Sequence, residues 1–377
     1  VPGFTTRVIH ALHDVEKGAV TPPIYPASTF LQPSEGGEGE FEYQRGSNPT
    51  RTDAETTLAA VEGSKHAFAF ATGMAATGSV LGMLASGDEV IMGLPVYGGN
   101  YRWATIELPK RGVTTTFVPD LNQLTEDHFT DSVKMVFLET PTNPTLRVAD
   151  IRRIADLAHA HGALVVVDNT FLTPYLQRPL ELGADLTVQS ATKYLGGHGD
   201  LLAGVVATND GDLAATVAQS QVISGGVLSP IDSYRLLQNV KTLGLRLDRQ
   251  QENTSRIVEA LNNHPGVSRV LVPGSFSEDE ARIQSEQASG PGAVFAFELA
   301  DGKDVRKFLA ELKVFGFAVS LGGIESLICL PASMTHGAYS AEDRELAQIP
   351  DGLLRVAVGI EEAEDLIEDL TRAIDAA

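Results

Sequence analysis

Apolar residues along this chain follow two rhythms. Short unbroken runs read as strands buried on both faces: "AFAFA" (67–71), "EVIMG" (89–93), "KMVFLET" (134–140) and "ALVVVDNT" (163–170). Between two of them, "ADIRRIADLAHAHG" (149–162) sets Ile151, Ile154, Ala155 and Ala158 at helical spacing, with Gly162 placed to close the helix. "DLTVQSATK" resumes the strand series after the short link "LELGA". Strands alternating with helices from residue 50 to 240 predict an α/β domain with a mostly parallel sheet and helices on both faces.

The texture changes after about residue 240. "AVFAFELA" (293–300) alternates like a half-buried strand, and "DVRKFLAELKVFG" (304–316) reads as an amphipathic helix. "LLRVAVGI" (353–360) reads as another strand. "EDLIEDLTRAIDAA" (364–377) puts Leu366, Leu370 and Ile374 on one helical stripe with acids opposite. Residues 241–377 are therefore expected to form a smaller α+β domain. Residues 1–49, rich in proline and glycine with little periodicity, are expected to form an extended arm, and "PSEGGEGE" (33–40) a flexible loop. One stretch, 67–87, carries no charge and is long enough to mimic a membrane span, but its Thr72-Gly73 pair divides it into a strand and a helix.

Composition narrows the function. The 377 residues are 43% hydrophobic, ample for a large core. A formal net charge of −21 repels phosphate backbones and anionic lipid, which argues against nucleic-acid and membrane-surface partners. The single cysteine, Cys329, can form no disulfide within the chain, which points to the cytoplasm. No Cys/His cluster has zinc spacing, so no metal is expected, and "VPGFTTRVIH" lacks the features of a signal peptide.

Ligands of open parallel sheets bind beyond the carboxyl ends of the strands. The expected strands end in Thr72-Gly73-Met74, in "PTNPT" with Asn143, in Asp168-Asn169-Thr170, and in Ser190, Thr192 and Lys193. Backbone amides at Gly73 and Met74 can cradle a phosphate, because a helix N-terminus carries free donors. Ser190 and Thr192 can donate to the same phosphate. Lys193 can form a Schiff base with an aldehyde, and Asp168 can keep a pyridine nitrogen protonated. Phosphate, aldehyde and pyridine together describe pyridoxal 5'-phosphate.

The segments "SATKYLGGHGD", "VVVDNTF", "ETPTNP", "YQRGSNPTR", "VYGGNY", "VSLGGIESL" and "PASMTH" resemble the Cys/Met-metabolism family of pyridoxal-phosphate enzymes, in the family's order and over residues 21 to 377. The resemblance implies an aspartate-aminotransferase-like fold, fold type I of the pyridoxal-phosphate enzymes. It implies that Lys193 is the Schiff-base lysine and Asp168 the partner of the ring nitrogen. Gly73, Met74, Ser190 and Thr192 match phosphate ligands, and Tyr97 the tyrosine stacked on the cofactor ring. Tyr43 and Arg45 match residues that reach the phosphate of a neighbouring subunit, in a homotetramer built as a dimer of dimers. Asn143, Ser320 and Arg355 match groups that hold the substrate α-carboxylate.

Within the family, "TPYLQRPLELGADLTVQSATKYLGGHGD" and "PASMTHGAYSAEDR" resemble methionine γ-lyases most, and Val319 suits a thioether methyl where cystathionine enzymes usually carry glutamate. Against that, "YGGN" lacks the cysteine those lyases commonly show after the stacking tyrosine, and Val222-Ile223 replaces an expected Lys-Asp pair. "GGIESL" and Arg102 are closer to cystathionine enzymes, and "LQNVKTL" lacks the family's usual arginine. The expectation is a carbon–sulfur γ-lyase for L-methionine, L-cystathionine or both. γ-Replacement on an O-acyl-homoserine, compatible with Glu42 and Arg102, is the alternative enzyme. A silent scaffold is disfavoured by the intact Lys193 and Asp168.

Overall fold

In the computed structural model of the chain, residues 2–12, 18–34 and 39–377 are described. Two sheets organise them. The first contains β1 (His66–Phe70), β2 (Glu89–Gly93), β3 (Thr114–Val118), β4 (Val133–Glu139), β5 (Leu164–Asp168), β6 (Leu186–Gln189) and β7 (Gly204–Thr208). Their spatial order is β1-β7-β6-β5-β4-β2-β3. The five strands from β6 to β3 are parallel, while β7 is antiparallel to both β6 and β1. β1 thus points the same way as β6, and the carboxyl ends of β1, β4, β5 and β6 all meet one edge.

The buried runs fold as their patterns predict. Val165, Val166 and Val167 of β5 are all without exposure, being covered on both faces. The neighbouring helix, Ile151–Ala160, starts at Asp150, whose side chain accepts the Arg153 amide at 3.0 Å. It turns Ile151, Ile154, Ala155 and Ala158 inward and ends before Gly162, which adopts φ +72°. The uncharged 67–87 stretch divides at Thr72, whose hydroxyl caps the helix Gly73–Leu81 by accepting the Ala75 amide at 3.0 Å. Among the described residues no helix is long and apolar enough to cross a membrane.

The second sheet contains β8 (Val267–Leu271), β9 (Val294–Leu299), β10 (Gly316–Phe317), β11 (Leu327–Cys329) and β12 (Leu354–Ala357), in the order β10-β11-β12-β9-β8. Only β10 and β11 run parallel. Two expectations fail here. β9 is not half-buried: Val294, Phe295, Ala296 and Phe297 are all buried, because β9 lies between β12 and β8 and is covered on both sides. The helix expected over 304–316 stops at Glu311. The Asp369 carboxylate takes the next free amides, those of Lys313 at 2.9 Å, Val314 at 2.8 Å and Phe315 at 3.1 Å, and turns the chain into β10. Burial opposes that charge, but the three amides and Arg372 outweigh it and hold the carboxyl below its usual range.

The arm also differs from expectation. Its first part is a short helix, Phe4–Ile9, that buries Val8 in the core and sets Phe4 edge-on to Tyr175 at 5.1 Å. Within the expected 33–40 loop, 35–38 lie outside the described residues. One continuous apolar cluster joins the two sheets. It runs from Ala67, Ala69, Val205 and Ala207 of the first to Phe295, Phe297, Leu354 and Val356 of the second, through Leu243, Leu247, Ile257 and Leu261 of the long helix Leu243–Asn262.

Candidate active site

The carboxyl edge of the first sheet opens into a cavity of about 410 Å³. Gly73, Met74, Tyr97, Asn143, Asp168, Ser190, Thr192, Lys193, Val319, Ser320 and Arg355 all line it. Eleven positions singled out in the sequence therefore converge, contributed by both sheets.

Strand register brings the acids together. β4 ends at Glu139 and β5 at Asp168, and these two residues are paired neighbours across the ladder. Asp168 is buried and held by Thr170, whose amide donates at 3.0 Å and whose hydroxyl donates at 2.5 Å. Burial pushes its carboxyl up, and the two Thr170 bonds pull it back. The Asn100 amide also approaches Asp168 and favours its charge, but closes no hydrogen bond with it. Glu139 is held well above its usual range by burial and by the Asp168 charge. It accepts the Tyr97 amide at 2.9 Å and the Asn143 amide at 3.0 Å, so one buried carboxyl group fixes two walls of the cavity.

The turn after β6 carries the lysine. Lys193 Nζ donates to Ser320 Oγ at 2.8 Å. Burial, and then the positive charge of Arg355, lower the Lys193 amine to about 8. Ser320 holds φ +99°, a left-handed conformation rare for a residue with a side chain, and its carbonyl accepts Arg355 Nη2 at 2.8 Å. Arg355 also donates from Nη1 to Asn143 Oδ1 at 3.0 Å. It is 2% exposed, its Nε has no partner, and it forms no ion pair among the described residues. A buried guanidinium that no carboxylate pairs directly is an electrostatic site for a substrate carboxylate.

At the other end of the cavity, Gly73 and Met74 begin a helix whose first amides have no partner within the helix. A Cβ on Gly73 would lie 3.0 Å from the Ser190 Cβ, so glycine lets Ser190 sit this close over the helix start. The Thr192 hydroxyl is already used, donating to the Ala203 carbonyl at 3.2 Å and accepting its amide at 3.0 Å. Tyr97 is 41% exposed into the cavity. Tyr43 and Arg45 are exposed and do not line this chain's own cavity. Arg45 donates to the Val222 carbonyl at 2.8 Å and lies 5.8 Å from the Tyr43 ring centre.

Pyridoxal phosphate fits this donor set. Amides and the Ser190 hydroxyl suit a phosphate, Asp168 a protonated ring nitrogen, the Tyr97 ring a flat face, and Lys193 an aldehyde. Glu139 and Asn100 were not anticipated as site residues. Glu139 had a signal: it closes an apolar run beside another run that closes in an acid. Asn100 had none.

A family model described as "Cys/Met metabolism PLP-dependent enzyme" matches residues 5–375. A cystathionine γ-lyase of Bacillus subtilis is 43% identical over 373 residues, covering 98% of each chain. A cystathionine β-lyase of Lactococcus lactis subsp. cremoris is 43% identical over 374 residues, again covering 98% of each. A cystathionine γ-synthase of Xanthomonas oryzae pv. oryzae, solved in complex with cystathionine, superposes with a TM-score of 0.96 at 39% identity, covering 100% of this chain and 98% of that one.

Proposed function

The chain belongs to the Cys/Met-metabolism family of pyridoxal-phosphate-dependent enzymes, and from that premise we propose that it is a carbon–sulfur γ-lyase acting on L-cystathionine, L-methionine or both. The observation that carries the reading is the buried Arg355, which forms no ion pair among the described residues, beside a lysine lowered to about 8. Together they can hold an amino acid by its carboxylate and move the proton at its Cα.

Bound pyridoxal phosphate supplies an aldehyde carbon that an amino group condenses with and a protonated ring that takes up electrons from Cα. The rest falls to the chain. Arg355 and Asn143 orient the substrate carboxylate. Lys193, partly unprotonated near neutral pH, accepts the Cα proton, and Ser320 holds its amine in place by the 2.8 Å bond. Asp168, supported by Thr170, would pair with the ring nitrogen and favour its protonated form. Lys193 would also carry the later protons, taking one from Cβ while the thiolate leaves Cγ with a proton and returning one to Cγ, so that hydrolysis would leave 2-oxobutanoate and ammonia. Tyr43 and Arg45, exposed and away from this chain's own cavity, would serve the phosphate end of a neighbouring subunit's site.

Two residues that line the cavity suit the two substrates. Val319, half exposed, offers an apolar surface to a thioether methyl, and Arg102 offers a cation to a second carboxylate. Arg102 and the likeness to a γ-synthase favour a second reading, γ-replacement on an O-acyl-homoserine. Product analysis separates them. The lyase releases cysteine and 2-oxobutanoate from L-cystathionine, or methanethiol and 2-oxobutanoate from L-methionine. Homocysteine and pyruvate would make it a β-lyase. No oxo acid from either, with a thioether formed from O-acyl-homoserine and a thiol, would establish replacement.

A further inference from the structure

Three polar side chains on the Leu243–Asn262 helix are buried in the seam between the sheets, and none takes part in the chemistry above. Arg246, Gln250 and Asn253 are 6%, 0% and 0% exposed, and their spacing puts them on one face. Arg246 donates to the Tyr194 carbonyl at 2.7 Å, the Asn239 carbonyl at 3.0 Å and the Thr242 hydroxyl at 3.1 Å. Gln250 Nε2 donates to the carbonyls of Gly323 at 2.8 Å and Val358 at 3.0 Å. Asn253 Nδ2 donates to the carbonyls of Gly359 at 3.2 Å and Glu361 at 2.8 Å.

The acceptors are not scattered. Tyr194 follows Lys193, Gly323 follows the loop of Ser320, and Val358 follows β12, which carries Arg355. The contacts are also close. A Cβ on Gly197 would fall 2.1 Å from Arg246 Nη1, and one on Gly322 would fall 2.5 Å from the Tyr194 amide nitrogen. The lysine turn is thus pressed between a guanidinium and the serine loop. Stability alone does not call for this arrangement. Arg246 forms no ion pair among the described residues, and Gln250 Oε1 and Asn253 Oδ1 are buried without partners, which costs free energy that apolar side chains would not.

We propose that Arg246, Gln250 and Asn253 are positioning residues that hold the Lys193 turn in register with the Ser320 and Arg355 segments. The amine that moves the proton and the site that holds the carboxylate come from different sheets, and this helix ties both to one rigid bar. The inference rests on Lys193 being the amine that binds the cofactor.

The test uses the full chain with Gln250→Met, Arg246→Met and Arg246→Lys. The first readout is the rate at which cofactor-stripped protein regains visible absorbance on adding pyridoxal phosphate. The second is kcat, KM and the pH midpoint of kcat with L-cystathionine. Gln250→Met is expected to stay folded, recover absorbance more slowly, lose roughly tenfold to a hundredfold in kcat/KM, and shift the pH midpoint as Lys193 leaves its setting. Arg246→Lys is expected to lie between wild type and Arg246→Met. Wild-type recovery rates and an unmoved pH midpoint in Gln250→Met overturn the proposal; if Arg246→Met does not fold, Gln250→Met decides alone. Wild-type protein that takes up no pyridoxal phosphate overturns the reading of Lys193 itself, and this inference with it.

Discussion

A lysine amine in neutral water is almost wholly protonated, and Lys193 can accept a proton only if it is not. Burial disfavours the ammonium form, and the nearby Arg355 charge disfavours it further, bringing the amine to about 8. The sign follows directly: the amine gains its free base as pH rises. The logarithm of kcat should climb with pH and level off above about 8. Lys193→Ala should abolish both turnover and the visible absorbance of the bound cofactor. A flat profile through this range would remove Lys193 as the base. At this scale much was legible in the sequence. Asp168, Ser190 and Lys193 announce themselves because they end apolar runs, where a buried strand meets a ligand edge. Asn100 stayed hidden because a lone polar residue on a short helix, Gly98–Arg102, gives no sign of which side faces a cavity.

Elements set the distances that residues exploit. The loop at 320–323 shows how: Ser320 at φ +99° and Gly322 at φ +78° fold it back onto the lysine turn. An alanine at 322 would hold an unfavourable φ and drive its Cβ to 2.5 Å from the Tyr194 nitrogen and 2.9 Å from the Lys193 carbonyl carbon. Gly322→Ala should lower unfolding free energy by about 1–3 kcal/mol and reduce kcat/KM, because the backbone that must move is the one that carries the amine. Denaturant unfolding and steady-state kinetics on the same preparation check both; unchanged kinetics would show that the lysine turn tolerates displacement. Elements with strong local patterns were read correctly, as with the Ile151–Ala160 helix. The helix expected over 304–316 was not, since what ends it is Asp369, a carboxylate from a distant helix taking three amides. Arg246, Gln250 and Asn253 were equally opaque. Apart from Asn239 and Thr242 close to Arg246 in the chain, their partners are carbonyls 52 to 108 residues away, and a polar helix face otherwise reads as solvated.

The molecule as a whole places two sheets around one continuous core and puts the site in their seam. That division is why Asp168, Ser190 and Lys193 reach the cavity from the first sheet and Arg355 from the second. The mostly parallel character of the first sheet was legible in its buried runs, whereas the order of its strands and the antiparallel β7 were not, since a buried run shows neither its neighbour nor its direction. Assembly belongs to this scale too. If Arg45 serves a neighbour's site, Lys193→Ala and Arg45→Ala chains should each be nearly inactive alone. Mixed by unfolding and refolding together, they should regain activity, because a hybrid dimer restores one complete site. No recovery on mixing, in dimers shown to have exchanged chains, would mean that Arg45 does not act across subunits.

The account turns on the amine of Lys193, and borohydride reduction of the cofactor-loaded protein, followed by peptide mass spectrometry, tests it most directly. The account predicts a pyridoxyl phosphate fixed on Lys193 and on no other lysine. An unlabelled Lys193, or a stoichiometric label elsewhere, would contradict it.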